Sequence, residues 1–177
     1  MQSQIEKNEA IPLAFASQGS GPPLVILHGL FGSGRNWGSI ARELQTGFQV
    51  FLLDQRNHGR SPHAATHTLE DLVADLALWQ ETRLQKPFHL LGHSMGGLVA
   101  MAFALRYPQA LQSLCVVDIA PRSYPFMHEK EFALLQSDFT NSNSRSRIDE
   151  EAAHIVGDPL VRNFLLTNLE RTDSGYE

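Results

Sequence analysis

The sequence predicts an α/β fold, a mostly parallel sheet with helices on both faces. Three observations lead there. Short apolar runs of strand length alternate with segments of helical periodicity as far as Ile119, the pattern of a sheet whose strands are joined by crossover helices. A glycine-flanked serine, Gly92-His93-Ser94-Met95-Gly96, stands between one such run and one such helix. After Pro121 the strand runs stop and only helical patterns follow, so the chain divides into a core over 1–121 and a helical insertion over 122–177. With 177 residues, 42% of them hydrophobic, the chain is long enough for one domain with a real core.

Each element has its own justification. Residues 11–17 read as an antiparallel lead-in strand. Residues 24–28 are an apolar run between Gly21-Pro22-Pro23 and a glycine-rich turn, as a buried strand should be, and residues 49–54 repeat the pattern. Over 68–82, Leu69, Leu72, Val73, Leu76 and Trp79 recur at helical spacing, with Thr68 as N-cap ahead of Glu70 and Asp71. Residues 88–91 form a further buried strand, and the alanine- and leucine-rich stretch 95–107 is a helix stopped by Pro108. A strand over 111–119 closes the series, and helices over 129–136, 147–156 and 159–169 follow, separated by polar loops such as Asn141-Ser142-Asn143-Ser144.

Composition excludes several classes of function. A net charge of −5 and a pI near 5.9 provide no basic stripe for a phosphate backbone or an anionic membrane surface, so nucleic acid is not an expected partner. Cys115 is the one cysteine; it cannot form an internal disulfide, and a reducing, cytoplasmic setting is expected. Residues 1–9 lack the apolar core of a secretory signal. The longest near-apolar stretch, 90–105, is broken by His93, Ser94 and three glycines, so no membrane span is expected.

The chemistry sits in three motifs. A serine on a tight strand-to-helix turn must adopt strained backbone angles, and small residues on either side keep neighbouring backbone from colliding; Gly92 and Gly96 meet that need around Ser94. The helix N-terminus then places its positive end, and the amide of Met95, beside a developing oxyanion. His28-Gly29-Leu30-Phe31-Gly32-Ser33 follows the strand 24–28, where a flexible loop brings a second backbone N–H, that of Leu30, to the same oxyanion. His28 reads as a hydrogen-bonded structural residue that orients this loop. In Asp54-Gln55-Arg56-Asn57-His58-Gly59-Arg60-Ser61, Asp54 and Arg56 read as a structural turn with an internal ion pair, and His58 as a solvated loop histidine, with a place in the pocket lining as its other reading.

Taken together, Asp-x-Arg-x-x-Gly-x-Ser at 54–61 in its Arg-Asn-His-Gly form, His-Gly-Leu-Phe-Gly-Ser at 28–33, Gly-His-Ser-Met-Gly-Gly at 92–97 and Asp118-Ile119-Ala120-Pro121 resemble the α/β-hydrolases, and among them the bacterial YbfF-type serine esterases. The resemblance runs from about Leu13 to the last residues. It implies an α/β-hydrolase fold that stops after the start of a helical cap, with Ser94 as nucleophile. It also implies an acid at the end of the strand after the nucleophile helix, which here is Asp118. In many other α/β-hydrolases the acid lies one strand later.

A serine hydroxyl is a weak nucleophile until a histidine takes its proton and a carboxylate orients that histidine. In this fold the chain order is serine, acid, histidine, the last on a loop after the final strand. His128 and His154 are the histidines after Asp118, and both fall in the helical insertion. The expected reading is therefore a chain lacking its C-terminal part and its catalytic histidine, with a second chain as one way to supply them. A serine at the turn points to an acyl-enzyme, hence to a small-molecule carboxylic ester or acyl thioester as substrate. Phe31 is the expected pocket residue, joined by analogy by Leu30, Phe126, Phe132, Leu135 and Phe164. No phosphate loop, dinucleotide fingerprint or metal-ligand spacing accompanies these motifs, so neither cofactor nor metal is expected. Two other classes stay open: a lyase of the same fold, and a catalytically incompetent fragment that only binds an acyl ligand or partner chain.

Overall fold

The computed structural model describes residues 9–125, 127–140, 142, 144–172 and 175–176. The chain divides into two compact units, Met1–Pro121 and Arg122–Glu177. In the first, strands β1 (Phe15–Gln18), β2 (Pro23–Leu27), β3 (Gln49–Leu53), β4 (Phe88–His93) and β5 (Leu111–Val117) form one sheet in the order β1-β3-β2-β4-β5. All neighbours are parallel except β1, which runs antiparallel to β3.

The two faces follow from the period of two along each strand. Val25, Leu27, Phe51, Leu53, Phe88 and Leu90 point to one face, where they pack with Leu72, Val73, Leu76 and Trp79 of α2 (Leu69–Trp79) and with Val99, Ala100 and Phe103 of α3 (Met95–Arg106). Leu24, Ile26, Val50 and Leu52 point to the other, against Ala41 and Leu44 of α1 (Gly38–Leu44). Continuous apolar runs in the sequence are thus strands buried on both sides. Thr68 caps α2 as expected: its hydroxyl accepts the Asp71 N–H at 3.2 Å, and the Asp71 carboxylate accepts the Thr68 N–H at 2.9 Å.

Four elements differ from the sequence reading. The helix α1, preceded by a 3₁₀ turn at Gly34–Trp37, has no counterpart there; the stripe of Trp37, Ala41 and Leu44 carries its signal, but Gly34 and Gly38 weaken it. β1 begins at Phe15 rather than at residue 11, because Pro12 has no N–H to give a ladder and the Ile11 N–H instead donates to Asp75 Oδ1 at 2.7 Å. The helix expected over 68–82 continues past Trp79 as a wider π turn, Gln80–Leu84, closed by Gln85 at φ 56°. The insertion is not all-helical: β6 (Arg171–Thr172) pairs antiparallel with β7 (Gly175–Tyr176), a ladder too short to show any period in sequence.

The second unit carries α4 (Glu129–Leu135), α5 (Arg145–Ala152) and α6 (Pro159–Leu165). Ser144 and Asp158 cap α5 and α6, and the Arg162 guanidinium on α6 donates to Asp149 on α5 at 2.7 Å. Leu134, Leu135, Phe139, Leu165, Leu166 and Leu169 border a cavity of about 170 Å³ within this unit. Among the described residues, no helix is long and apolar enough to cross a membrane.

Candidate active site

The carboxyl ends of β2, β4 and β5 meet at Ser94. β4 ends at His93 and α3 begins at Met95, so Ser94 alone makes the turn, at φ 50° and ψ −120°. A non-glycine residue in such a conformation costs on the order of 1–3 kcal/mol and persists only where its surroundings over-determine it. Here they do. The Ser94 N–H donates to the Val117 carbonyl of β5 at 3.0 Å, and the Ser94 carbonyl accepts the N–H groups of Gly97 at 2.8 Å and Leu98 at 3.1 Å. A Cβ on Gly96 would stand 2.6 Å from the carbonyl oxygens of Leu27 and His28, and one on Gly92 would strike the Gly96 carbonyl. Only glycine lets β4, the helix start and the end of β2 approach this closely. Met95 is the first residue of α3, so its N–H has no carbonyl one turn back within the helix.

The loop after β2 lies against this turn. A Cβ on Gly29 would be 3.2 Å from Ser94 Cβ and 2.9 Å from His93 Nδ1, so the start of the loop lies against the serine turn. The loop closes on itself through a Gly32 N–H to Gly29 carbonyl bond of 3.1 Å, and Phe31 turns at φ 63°. His28, 1% exposed, has the orienting role its position suggested. Its Nδ1 lies 2.8 Å from the Gly29 carbonyl, its Nε2 accepts the Gln55 N–H at 3.0 Å, and its own carbonyl accepts the Gln55 side-chain amide at 2.7 Å. Burial, partly offset by the bond to Gly29, lowers its pKa to about 4.

Asp118 follows β5 directly and turns at φ 57°. Its side chain is 86% exposed, and Oδ2 lies 3.9 Å from His93 Nε2. The His93 ring in turn faces Trp37, with centroids 6.0 Å apart. The sequence assigns His93 no role beyond interrupting the apolar stretch 90–105, although its place one residue before Ser94 is a signal for the site. His128 and His154 belong to the second unit, where His128 Nδ1 is 3.9 Å from Glu131 Oε2. Of the apolar residues suggested for a pocket there, Leu135 borders the cavity of that unit, Phe132 is 37% exposed, and Phe126 lies outside the described residues.

Two readings of the segment 54–61 need correction. It is a structural turn with an internal ion pair, but the pair is Asp54 with Arg60, 3.6 Å apart, and not Asp54 with Arg56. The Asp54 carboxylate accepts the N–H groups of Gly34 at 2.7 Å and Arg60 at 3.0 Å, while Arg56 forms a two-pronged pair with Asp75 of α2 at 2.6 and 2.7 Å. Asp71, also on α2, adds a second carboxylate 3.4 Å from Arg56 Nη1, so the guanidinium is held by the helix rather than by its own turn. His58 is not solvated: its ring is half-buried, and its Nε2 accepts the Phe31 N–H at 3.2 Å.

Residues 22–165 match the family described as alpha/beta hydrolase fold. The chain is 41% identical over 177 residues to the sn-1-specific diacylglycerol lipase ABHD11 of Danio rerio, covering 92% of this chain and 54% of that protein. It is 38% identical over 162 residues to a protein of Saccharomyces cerevisiae named probable alcohol acetyltransferase, covering 85% of this chain and 47% of that one. A solved structure described as a marine microorganism esterase superposes with a TM-score of 0.89 at 41% identity, covering 95% of this chain and 68% of that chain. The chain spans about half the length of the curated relatives it matches. With its parallel sheet, its serine turn and most of its length matched, this chain belongs to the alpha/beta hydrolase fold family.

Proposed function

We propose that this chain is the nucleophile-bearing part of a serine hydrolase that cleaves carboxylic esters or acyl thioesters through an acyl-enzyme. Ser94 attacks the acyl carbon, and the N–H groups of Leu30 and Met95 hold the oxyanion. Asp118 orients a histidine that takes the Ser94 proton and returns it to the leaving group. Phe31 forms a wall of the acyl site, and the unit Arg122–Glu177 serves as a helical cap. The observation that carries this reading is the backbone of Ser94, at φ 50° and ψ −120°, with its amide held by the residue before Asp118. Strain at a strand-to-helix turn is the arrangement that projects a hydroxyl from the sheet edge. Likeness to proteins named as a diacylglycerol lipase and an esterase supports an ester substrate.

In this reading the histidine belongs to a part of the protein beyond these residues, as the serine, acid, histidine order requires. That part also covers the outer edge of β5, where Gln112, Ser113, Leu114 and Cys115 are exposed. It is supplied by a continuing chain or by a second one. A free cysteine at Cys115 fits a reducing, cytoplasmic compartment.

The test is labelling with a fluorophosphonate in a protein extended to the length of the relatives. Label should appear on Ser94 and vanish in Ser94→Ala; label on another serine overturns the assignment. A chain ending at Glu177 should turn over an acyl ester far more slowly. Comparable turnover that depends on His128 or His154 would place the base in the cap.

A second reading follows from the likeness to the protein named probable alcohol acetyltransferase. The same acyl-enzyme can be discharged by an alcohol instead of water. Product partitioning between free acid and new ester, measured with added ethanol, separates the two.

A further inference from the structure

Outside the serine turn, three imidazoles stand in a row on the loops after β2 and β3. The rings of His28 and His58 have centroids 5.1 Å apart, and those of His58 and His67 lie 5.5 Å apart. His67 Nε2 lies 3.5 Å from Met95 Sδ. The bonds of the first two rings mirror each other. His28, on the loop after β2, accepts the Gln55 N–H from the loop after β3. His58, on the loop after β3, accepts the Phe31 N–H from the loop after β2. In each ring the other nitrogen lies 2.8 Å from a backbone carbonyl, Gly29 for His28 and Arg56 for His58. A ring whose Nε2 accepts from an N–H carries no proton there, so each Nδ1 is the donor to its carbonyl. Both histidines are thereby fixed as the neutral Nδ1–H tautomer.

We infer that His58 is a positioning residue: with His28 it clips the loop 28–33 to the loop 54–61 and so aims the Leu30 N–H at the oxyanion formed on Ser94. The inference rests on the oxyanion role proposed above for Leu30. Phe31, next in the chain, sits at φ 63°, a conformation that needs an external hold, and His58 holds it by the amide one bond away from Leu30. His28 fixes the near end of the loop and His58 its tip. With either clip open, the loop loses its defined direction and the Leu30 donor with it.

The clip responds to acid because a proton on His58 Nε2 would face the Phe31 N–H, donor against donor. The groups around His58 are the rings of His28 and His67, with charges from Asp54 and His63 further off. Burial, opposed by the bond to the Arg56 carbonyl and by Asp54, holds its pKa below the usual histidine value, so the clip is closed at neutral pH.

The test uses side-chain ¹H–¹⁵N NMR of the full chain, together with hydrogen exchange at the Phe31 amide. His58 should show the Nδ1–H tautomer, and Phe31 should be protected at neutral pH and lose protection as His58 titrates. In His58→Gln the amide oxygen occupies the place of Nε2 and can still accept, so protection should persist. In His58→Asn the side chain reaches only the place of Nδ1, and Phe31 exchange should rise about tenfold, the worth of one hydrogen bond. An Nε2–H tautomer, or protection at Phe31 that is indifferent to both His58 titration and His58→Asn, overturns the inference. If His58→Asn does not fold, the wild-type titration and His58→Gln decide. Fluorophosphonate labelling of Ser94 in the extended protein should slow by tenfold or more in His58→Asn and not in His58→Gln. Equal labelling rates in the two folded variants also overturn it. Failure of wild-type protein to label Ser94 counts against the proposed function and leaves the NMR result to judge the clip.

Discussion

The Val117 carbonyl oxygen accepts the Ser94 amide at 3.0 Å. One bond therefore fixes the serine turn to the end of the neighbouring strand, immediately before Asp118. Both Ser94 and Asp118 carry positive φ, 50° and 57°, so each strand ends in a turn of left-handed φ. A change at either strand end should be felt at the other.

Gly96→Ala tests how tightly the turn is packed. The new methyl would stand 2.6 Å from the carbonyls of Leu27 and His28, which are backbone and cannot swing away. Overpacking of this kind costs about 1–3 kcal/mol, and the turn must shift to accept it. Urea denaturation should show the loss, and fluorophosphonate labelling of Ser94 should fall with it. An unchanged midpoint would mean that the turn is looser than its contacts imply.

Asp118→Asn addresses the proposed acid. Removing the carboxylate from a serine triad costs about 10⁴ in kcat in the best-studied protease case, and a comparable loss is expected in the extended protein. In the chain ending at Glu177, where the Asp118 side chain is 86% exposed, the same substitution should leave the thermal midpoint unchanged. A loss under about tenfold on that scale would move the acid to another strand.

Asp75→Ala should be among the most destabilising single changes in the first unit. Asp75 accepts two bonds from Arg56, both side chains being 1% exposed, and a third from the Ile11 N–H. Breaking one partner of a buried pair costs about 3–5 kcal/mol; here Asp71 Oδ2, 3.4 Å from Arg56 Nη1 and equally buried, still faces the guanidinium, so the loss should fall toward the lower end of that range. Arg56→Met, which strips both Asp75 and Asp71 of their guanidinium, should cost more than Asp75→Ala. Denaturation of the three proteins side by side decides it.

Acid should weaken the fold through His28. Its pKa falls from 6.5 in the unfolded chain to about 4 in the folded one, chiefly by burial. Between those values the unfolded chain binds more protons, so stability rises with pH, is fully present above about 6.5 and is lost as pH falls through about 4. The shift corresponds to about 3 kcal/mol. Burial moves His58 and His67 in the same direction. The urea midpoint should drop between neutral pH and pH about 4.5, and His28→Gln, weaker at neutral pH, should show a shallower drop; parallel slopes would clear His28 of the effect.

Much of the fold was legible in order along the chain. Runs such as Leu24-Val25-Ile26-Leu27 and Val50-Phe51-Leu52-Leu53 are short, apolar and bounded by turn residues, and they became strands buried on both faces. α1 escaped because two glycines dilute its stripe, and β6 and β7 because two residues carry no period. At the candidate site, Gly92, Ser94 and Gly96 stood out since a strand, a turn and a helix follow one another within a few residues.

What the sequence by itself determined is therefore what depends on neighbours in the chain: strand and helix placement, the cap at Thr68, and the strained turn at Ser94. The partners of side chains were decided by the tertiary structure alone. Arg56 reaches Asp75 rather than Asp54, His58 holds Phe31 rather than solvent, and His93 faces Asp118. Each pairing joins segments that become adjacent only once β2, β3, β4 and β5 are in register and α2 is docked. Hydrogen bonds and ion pairs act over a few ångströms, and no local pattern encodes which distant groups will come within that reach.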